Sequence, residues 1–523
     1  MLKQRRSLIT VAAILLLGTP LILATAFATD ERIWSLIGNT FRLVLLTCAI
    51  AVPLGTFLAI VVVRTDVFGR KVIALLLAGM LFVPLYLQAA GWGAGFGRMG
   101  WLRLSDGSML LEGMAGAAWI HGMASVAWVA LIVGIGLRLV PRELEEEVSL
   151  NGSNFQVFMH VTLPSIAVSV VAAVLWVAVT TAGEMTVTDL YGVQTYAEEL
   201  YVSSQLDLQQ ARTDALASSM ATAWVVFVAL FFFANILPAN RDGGLQPPRV
   251  FELGKWKVPL ALAACFSIGL VVGLPLANLV YQAGDELVDM GSSKEHRWSF
   301  LAFCQTLTRT PSRFAGDFGW TFSIAAIAAT VALALALPLA WLARRGNLRA
   351  VPAFLVAAVC LALPGPLIGI ELMRILNQPD IPWLFELYDR SILPPAAAMV
   401  IRSLPLAILV SWFALRSVSD DELDSAATEG AGAWTRFWRI AAAQRIGALA
   451  AAWLISFAIS IGDLAATKWV TPPGVDLLSL RVFSMLHVGV TREAAGICLF
   501  NVFTFLAVAT LALCLLKKSA RAQ

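Results

Sequence analysis

The chain has 523 residues, of which 59% are hydrophobic and only 14% are charged, and its mean hydropathy is +0.79. Soluble domains carry about 25% charged residues, so this composition excludes an ordinary soluble protein and indicates a membrane protein. The formal net charge of +3 is too small to predict nucleic-acid binding, and the six cysteines and four dispersed histidines predict neither a disulfide framework nor a metal site.

Twelve apolar runs are long enough to cross a bilayer, which takes about 20 residues per helix. They lie near residues 8–28, 41–63, 72–95, 115–139, 165–187, 214–237, 258–281, 317–343, 351–375, 394–415, 445–467 and 495–516. The first run follows Lys3–Arg6 and ends near Ala26-Phe27-Ala28, a pattern that also resembles a cleaved secretory signal. Its apolar stretch of about 20 residues is longer than the 7–15 or so typical of a signal, so we prefer a retained span. Cleavage would leave the remaining topology unchanged.

The orientation follows from a set of positive residues in short loops on one side of this twelve-span topology. They include Lys3, Arg5, Arg6, Arg64, Arg70, Lys71, Arg138, Arg142, Arg241, Arg249, Lys255, Lys257, Arg344, Arg345, Arg349, Arg436, Arg439, Arg445, Lys517, Lys518 and Arg521. Because short cytoplasmic loops are enriched in Lys and Arg, we expect this side and both termini to be cytoplasmic. The opposite side carries more acidic residues and longer loops.

A polar loop, residues 141–164, lies on the basic side between the fourth and fifth spans. Pro141 suits the first turn of a short helix, and Glu143 with Glu145–Glu147 favours the positive end of its dipole. A second short segment with Phe155 and Phe158 follows. Such a loop by itself would fit a segment that lies at the membrane interface.

The segment Asn240–Lys257 separates the chain into two halves on the basic side. It contains Gly243-Gly244 and Pro247-Pro248, a composition that predicts a flexible tether. We therefore expect a first domain at 1–239, a linker at 240–257 and a second domain at 258–523.

A second polar loop, residues 417–443, occupies the equivalent place in the second half. Its Ser419-Asp420-Asp421-Glu422 sequence is a capping-box pattern that predicts a short helix over about 420–429. Gly430 and Gly432 allow the turn that ends it. The aromatic residues Trp434, Phe437 and Trp438 follow, as Phe155 and Phe158 do in the first loop.

The two halves align at an offset near 280 residues. The matching landmarks are Thr40 with Thr321, Pro84 with Pro364, Glu145 with Asp424, and Glu184 with Asp463. Since each half has six predicted spans, both have the same orientation, which indicates a parallel duplication. The predicted fold class is all-α, a polytopic membrane protein with about twelve spans.

Glu184 and Asp463 are the acids most suggestive of a translocation pathway. A carboxylate at the bilayer centre costs about 2.5–3.5 kcal/mol, so these residues should face an internal route or lie near the outer interface. Two interpretations stay open. They form a ring of negative charge suited to a cation, or they cap span ends and anchor a loop.

The twin loops resemble the EAA motif of permease subunits in bacterial ABC importers, in which an acid, two alanines, a glycine and I-x-L-P follow at fixed spacing. The first copy matches with Glu145, Val161, Leu163 and Pro164, and has Asn151-Gly152 where the glycine is expected. The second copy matches with Asp424, Ala426, Gly430-Ala431 and Ile440, and has Ala442-Ala443 in place of L-P. The spacing is kept in both copies.

This resemblance implies a permease of the bacterial inner membrane whose two loops dock on a cytoplasmic ABC ATPase dimer. It also implies an extracellular or periplasmic solute-binding protein as partner and, because both copies share one chain, no second permease subunit. The chain resembles the fused permeases for ferric iron and thiamine, and features such as Arg64-Thr65-Asp66 and Gly462-Asp463-Leu464 favour iron(III) or a similar cation. The chain has no G-x-x-x-x-G-K-[ST] motif, so it is not expected to be an enzyme or to hold a cofactor, and ATP and Mg²⁺ would bind the partner.

Two other classes of membrane protein share features with this chain. A secondary transporter of the major facilitator type also has six plus six spans, and Asp66 with Gly69-Arg70-Lys71 falls where that superfamily has a conserved loop. The expected earlier glycine is Val62, the arginine after the acid is Val67, and the twin loops would be unexplained. A membrane-embedded enzyme would need a cluster of catalytic residues, and the spans contain no evident His/Asp or Ser/Lys set.

Overall fold

The computed structural model of the protein describes residues 31–97, 100–102, 111–150, 152–203, 210–236, 248–289 and 294–521. Nearly all of its regular structure is helical, which confirms the predicted all-α membrane class. The exception is a hairpin that was not expected, in which β1 (Asp285–Asp289) pairs antiparallel with β2 (Lys294–Trp298). Elements before the linker are called here the first half, and elements after it the second half.

In the described residues of the first half the regular structure consists of helices. In chain order these are α1 (Glu31–Arg64), α2 (Arg70–Met80), α3 (Leu85–Phe96), α4 (Gly113–Arg138), α5 (Arg142–Ser149), α6 (Asn154–Val157), a π-helix (Phe158–Thr162), α7 (Leu163–Ser165), α8 (Ala167–Ala182), α9 (Thr186–Leu190), α10 (Tyr196–Ser203) and α11 (Gln210–Ile236).

The second half repeats much of this order. It contains a 3₁₀ turn (Gly254–Trp256), α12 (Lys257–Ile268), a π-helix (Gly269–Gly273), α13 (Leu274–Gly284), the hairpin, α14 (Phe300–Arg313), α15 (Ala315–Ala343), a 3₁₀ turn (Asn347–Ala350), α16 (Val351–Ala362), α17 (Gly365–Leu376), α18 (Pro382–Arg390), α19 (Leu393–Arg416), α20 (Asp420–Thr428), α21 (Ala433–Thr435), a π-helix (Arg436–Ala442), α22 (Ile446–Gly462), a 3₁₀ turn (Thr467–Trp469), α23 (Leu478–Val488) and α24 (Arg492–Arg521).

Six of the described helices are long and apolar enough to cross a membrane, and four bent pairs raise the number to ten if each pair is one span. Of the twelve predicted spans, 8–28 lies outside the described residues. The span predicted at 214–237 is α11, whose qualifying apolar stretch, Ser218–Phe231, is shorter than a full span.

The bent pairs occur at corresponding places in the two halves. The α2–α3 pair turns by 108° before Pro84 and the α16–α17 pair by 99° before Pro364. A proline lacks an N–H and restricts the residue before it, so a helix ends there readily. The segments that lead into α8 and α22 bend by 50° and 83°. The predicted spans 72–95, 165–187, 351–375 and 445–467 are therefore broken rather than straight.

Each half is built around three closely packed helices, α1, α4 and α8 in the first and α15, α19 and α22 in the second. Small residues allow the close approach: a Cβ on Gly55 would lie 2.6 Å from Cβ of Val129. In the second half the buried face of α15 is a row of alanines from Ala325 to Ala340. Small residues at such contacts are typical of helices packed in a membrane.

The halves also exchange helices across their boundary. Phe227, Leu230 and Phe231 of α11 pack against the core of the second half, while Ala264 and Ile268 of α12 belong to the core of the first. The two halves are therefore packed together through α11 and α12.

Candidate functional site: two loops on the basic side

The first loop forms two short helices, of which the sequence predicts the first and only a second short segment in place of the other. α5 begins after Pro141, and α6 begins after Ser153, whose hydroxyl accepts a hydrogen bond from Gln156 N–H while Gln156 Oε1 accepts one from Ser153 N–H. This reciprocal capping box was readable as S-x-x-Q in the sequence. Gly152 lies between the helices, and Asn151 lies outside the described residues.

Glu145 is fully buried beneath this loop rather than exposed on it. Its Oε2 lies 2.7 Å from the guanidinium of Arg64, and both side chains are 0% exposed. Thr162 donates a hydrogen bond of 2.6 Å to Glu145 Oε1, and Arg64 also donates to the carbonyl of Leu137. The acid of the motif thus ties α5 to the end of α1 and to the π-helix. Within the chain it therefore anchors the loop to these two elements.

The second loop forms α20 over Asp420–Thr428, which confirms the predicted helix at about 420–429. The Ser419 hydroxyl accepts from Asp421 N–H at 3.2 Å, and Glu422 accepts from Gln444 instead of completing the capping box. At the other end Gly430 has φ of +89°, and Ala431 N–H donates to Ala426 O at 2.9 Å. This is a Schellman-type ending, for which glycine is the natural residue.

The two acids of the motif have different surroundings. Asp424 is exposed, whereas Glu145 is buried. Arg344, which ends α15 as Arg64 ends α1, is also buried, but it pairs with Asp420 at 3.0 Å. In the second half the acid that pairs with the buried arginine is Asp420, four residues nearer the start of the short helix than Asp424. Asp424 is therefore outside this ion pair and faces outward.

Leu163-Pro164 and their replacements adopt the same local structure. A π-helix precedes the bend in both halves, at Phe158–Thr162 and at Arg436–Ala442. Ile440 of the second copy packs against the core of its half, while Leu163 and Pro164 remain largely exposed. The bend therefore does not depend on the proline.

Both loops expose an aromatic side chain at matching positions. Phe155 is 67% exposed in the first loop and Trp434 is 74% exposed in the second. Leu150, at the end of α5, is also exposed, and Trp434 contacts the ring of Trp438. Clustered exposed apolar groups mark sites that interact with another protein or with a membrane surface.

The linker was expected to be a flexible tether, and for its described part that expectation is wrong. Residues 248–257 are bonded to the first loop and to the end of α1: Arg249 donates to the Glu145 carbonyl at 3.0 Å, and Phe251 N–H donates to Arg64 O at 2.7 Å.

Glu184 and Asp463 lie at equivalent turns on the side opposite the loops, and each caps a short helical segment. Glu184 accepts from Thr186 N–H at 2.7 Å and from Val187 N–H at 3.1 Å, and Asp463 accepts from Thr467 N–H at 3.1 Å. The side chains beside the two carboxylates differ. His121 Nε2 lies 3.6 Å from Glu184, and Arg402 Nε lies 3.5 Å from Asp463.

Comparison with known proteins gives two matches. Residues 330–522 match the model of a family described as the binding-protein-dependent transport system inner membrane component. The Fe(3+)-transport system permease protein FbpB 2 of Haemophilus influenzae is 23% identical over 321 residues, which cover 60% of this chain and 58% of that protein. The match thus spans less than two thirds of the relative's length. The second loop and Asp463 fall within the family match, and the first loop lies outside it.

Proposed function

Because residues 330–522 match the model of the inner membrane component family of binding-protein-dependent transport systems, we propose that the whole chain is a fused permease of an ABC importer. Both of its halves would act as permease domains, with domain limits near 1–239 and 258–523. No second permease subunit would be needed. ATP would be hydrolysed on a separate cytoplasmic ATPase dimer, and a solute-binding protein on the other side would deliver the cargo.

The observation that supports this proposal best is the pair of exposed aromatic residues, Phe155 and Trp434. Each follows a short acidic helix, each lies at the same place in its half, and both are on the basic side that we assign to the cytoplasm. A two-fold ATPase presents two like sites, and two equivalent apolar tips fit that symmetry.

In this mechanism the loops transmit the motion of the ATPase and take part in no chemical step. Closure of the ATPase dimer on ATP would move the two loops together. The bend and π-helix after each loop join it directly to α8 or α22, which are core helices of the two halves. The motion would therefore reach the interface between the halves and change access to a central route.

Iron(III) or a similar cation is the solute that we propose. The similarity to the Fe(3+)-transport system permease protein of Haemophilus influenzae supports it, as does the acidic character of the side opposite the loops. On that side Glu184 and Asp463 would act mainly as anchors that hold the turns at the mouth. Their negative charge would favour a cation over an anion there.

The experiment is co-purification of the chain with an ABC ATPase encoded beside it, followed by ATPase assays in proteoliposomes with the cognate binding protein. Phe155→Ala and Trp434→Ala should each weaken ATPase binding and stimulation, because each removes one apolar tip. Trp383→Ala is the matched control, since Trp383 is 67% exposed on α18, on the opposite side.

Two results would count against the proposal. Solute uptake driven by a proton or sodium gradient without ATP would favour a secondary transporter. Normal ATPase binding in the Phe155→Ala, Trp434→Ala double variant would exclude the loops as docking sites. Uptake of iron(III) and of thiamine, measured in parallel, separates the solute question from the coupling question.

A further inference from the structure

The described part of the linker, residues 248–257, forms a fixed segment that we call the strap. It begins as a short extended stretch that runs beside the end of α1. Thr65 and Phe251 form a parallel β-bridge, and Phe251 N–H donates to Arg64 O at 2.7 Å. The strap is thus hydrogen-bonded through its backbone, which a flexible tether would not be.

Asp66 holds the other end of the strap. Its Oδ1 accepts from Leu253 N–H at 3.2 Å, and its Oδ2 accepts from Lys257 Nζ at 2.8 Å. The Lys257 ammonium also lies 4.3 Å from the ring centroid of Phe68, a cation–π contact. These contacts fix the place where the strap enters α12.

Arg249 connects the strap to both short helices of the first loop. Its guanidinium donates to the Glu145 carbonyl in α5 at 3.0 Å and to Asn154 Oδ1 at the start of α6 at 3.1 Å. The same guanidinium lies over the ring of Phe251, whose edge meets Phe158 in the π-helix. A planar guanidinium can bridge two acceptors in this way, and a lysine ammonium reaches them less well.

The strap leads directly into α12, the first helix of the second half. Because α12 packs in the core of the first half, the strap, α12 and the first loop are held together within that half. The second loop, by contrast, is tied within its own half, by Arg445 to the Ser417 carbonyl and by Gln444 to Glu422.

We propose that Arg249 is a positioning residue for the first coupling loop, through which the strap holds α5 and α6 in the orientation that passes ATPase motion to the halves. This inference rests on the proposed function. It assigns to the linker a part in coupling, and it predicts that the first loop depends on Arg249 in a way that the second loop does not.

The test is ATPase stimulation in proteoliposomes that hold the full chain, its ATPase and its binding protein. Arg249→Ala should leave the ATPase co-purifying in normal amount, while stimulation by the loaded binding protein falls by about tenfold, a usual size for coupling between sites. Arg249→Lys should retain an intermediate rate. Arg349→Ala, which removes an exposed arginine from the basic side of the second half, is the matched control and should behave as wild type.

Asn154→Ala removes one of the two contacts without changing the strap, so it should cause a smaller loss. The Arg249→Ala, Asn154→Ala double variant should be no worse than Arg249→Ala alone, since that contact is already absent. The Asn154→Ala single variant still tests the inference if Arg249→Ala fails to fold. Full stimulation in Arg249→Ala or in Asn154→Ala would overturn this inference and leave the proposed function standing. Failure of the wild-type chain to bind the ATPase would overturn the proposed function and this inference with it.

Discussion

Pro84 of the first half packs against Gly462 of the second, so closely that a Cβ on Gly462 would lie 2.6 Å from Pro84 Cγ. The reciprocal contact is looser: a Cβ on Gly183 would lie 3.9 Å from Cα of Pro364. Each proline marks the break in a bent span, and each glycine directly precedes Glu184 or Asp463. The halves therefore meet through paired contacts between a helix break and the turn that holds an acid.

This difference in spacing predicts unequal effects of two matched substitutions. Gly462→Ala should destabilise the protein by about 1–3 kcal/mol, because the added methyl group overpacks a tight contact between the halves. Gly183→Ala should have little effect, since the Pro364 contact remains at ordinary van der Waals distance. Thermal unfolding of the purified variants in detergent, together with their transport rates, measures both. Equal destabilisation by the two substitutions would show that the close Gly462–Pro84 contact does not determine how tightly the halves pack.

Glu145 should matter for stability, and Asp424 should not. Removing one member of a buried ion pair leaves an uncompensated charge and costs about 3–5 kcal/mol, so Glu145→Ala should lower the unfolding temperature and the amount of folded protein in the membrane. Asp424→Ala changes an exposed side chain and should alter stability by no more than about 0.5 kcal/mol. Fluorescence-detected size exclusion after a heat step compares the two. A stable Glu145→Ala variant would contradict the anchoring role.

Local features of the loops could be predicted from the sequence because they depend on neighbours in the chain. The Ser419 cap places α20, and Pro84 and Pro364 mark the breaks in two spans. The sizes of the bends could not be predicted, since packing against the other half determines them. The hairpin at Asp285–Trp298 was missed because its strands are short and charged.

Contacts between residues that are far apart in the sequence could not be predicted. Arg64 and Glu145 are 81 positions apart, and nothing in the motif shows that its acid is buried. The glycines and prolines of the linker indicate flexibility, but Arg249 and Phe251 bond to Glu145 and Arg64, which only the tertiary fold brings near them. Which acid pairs with Arg344 likewise depends on the angle at which α20 leaves α19.

Gly430 and Gly432 form another matched pair. Gly430 has φ of +89°, where an alanine is strained, while Gly432 has φ of −64°, which any residue adopts. Gly430→Ala should therefore cost about 1 kcal/mol and loosen the end of α20. Gly432→Ala has open space around it and should be neutral. Hydrogen exchange of the second loop, followed by mass spectrometry, should show faster exchange in the first variant only, and similar exchange in both would refute the turn as the cause.

The pH dependence of the strap follows from Asp66. The hydrogen bond from Lys257, supported by that from Leu253 N–H, holds the pKa of Asp66 below its ordinary value of 3.8. A carboxyl group whose pKa is lowered in the folded state contributes stability above its unfolded pKa and loses it as the pH falls through the folded value. Protection of residues 248–257 from proteases should thus stay constant between about pH 5 and about pH 8, where carboxylates and lysines keep their charges. Asp66→Asn removes the charge at every pH and should expose the strap to cleavage even at neutral pH. A loss of protection in the wild-type chain between about pH 8 and about pH 6 would assign the strap's attachment to a group other than Asp66.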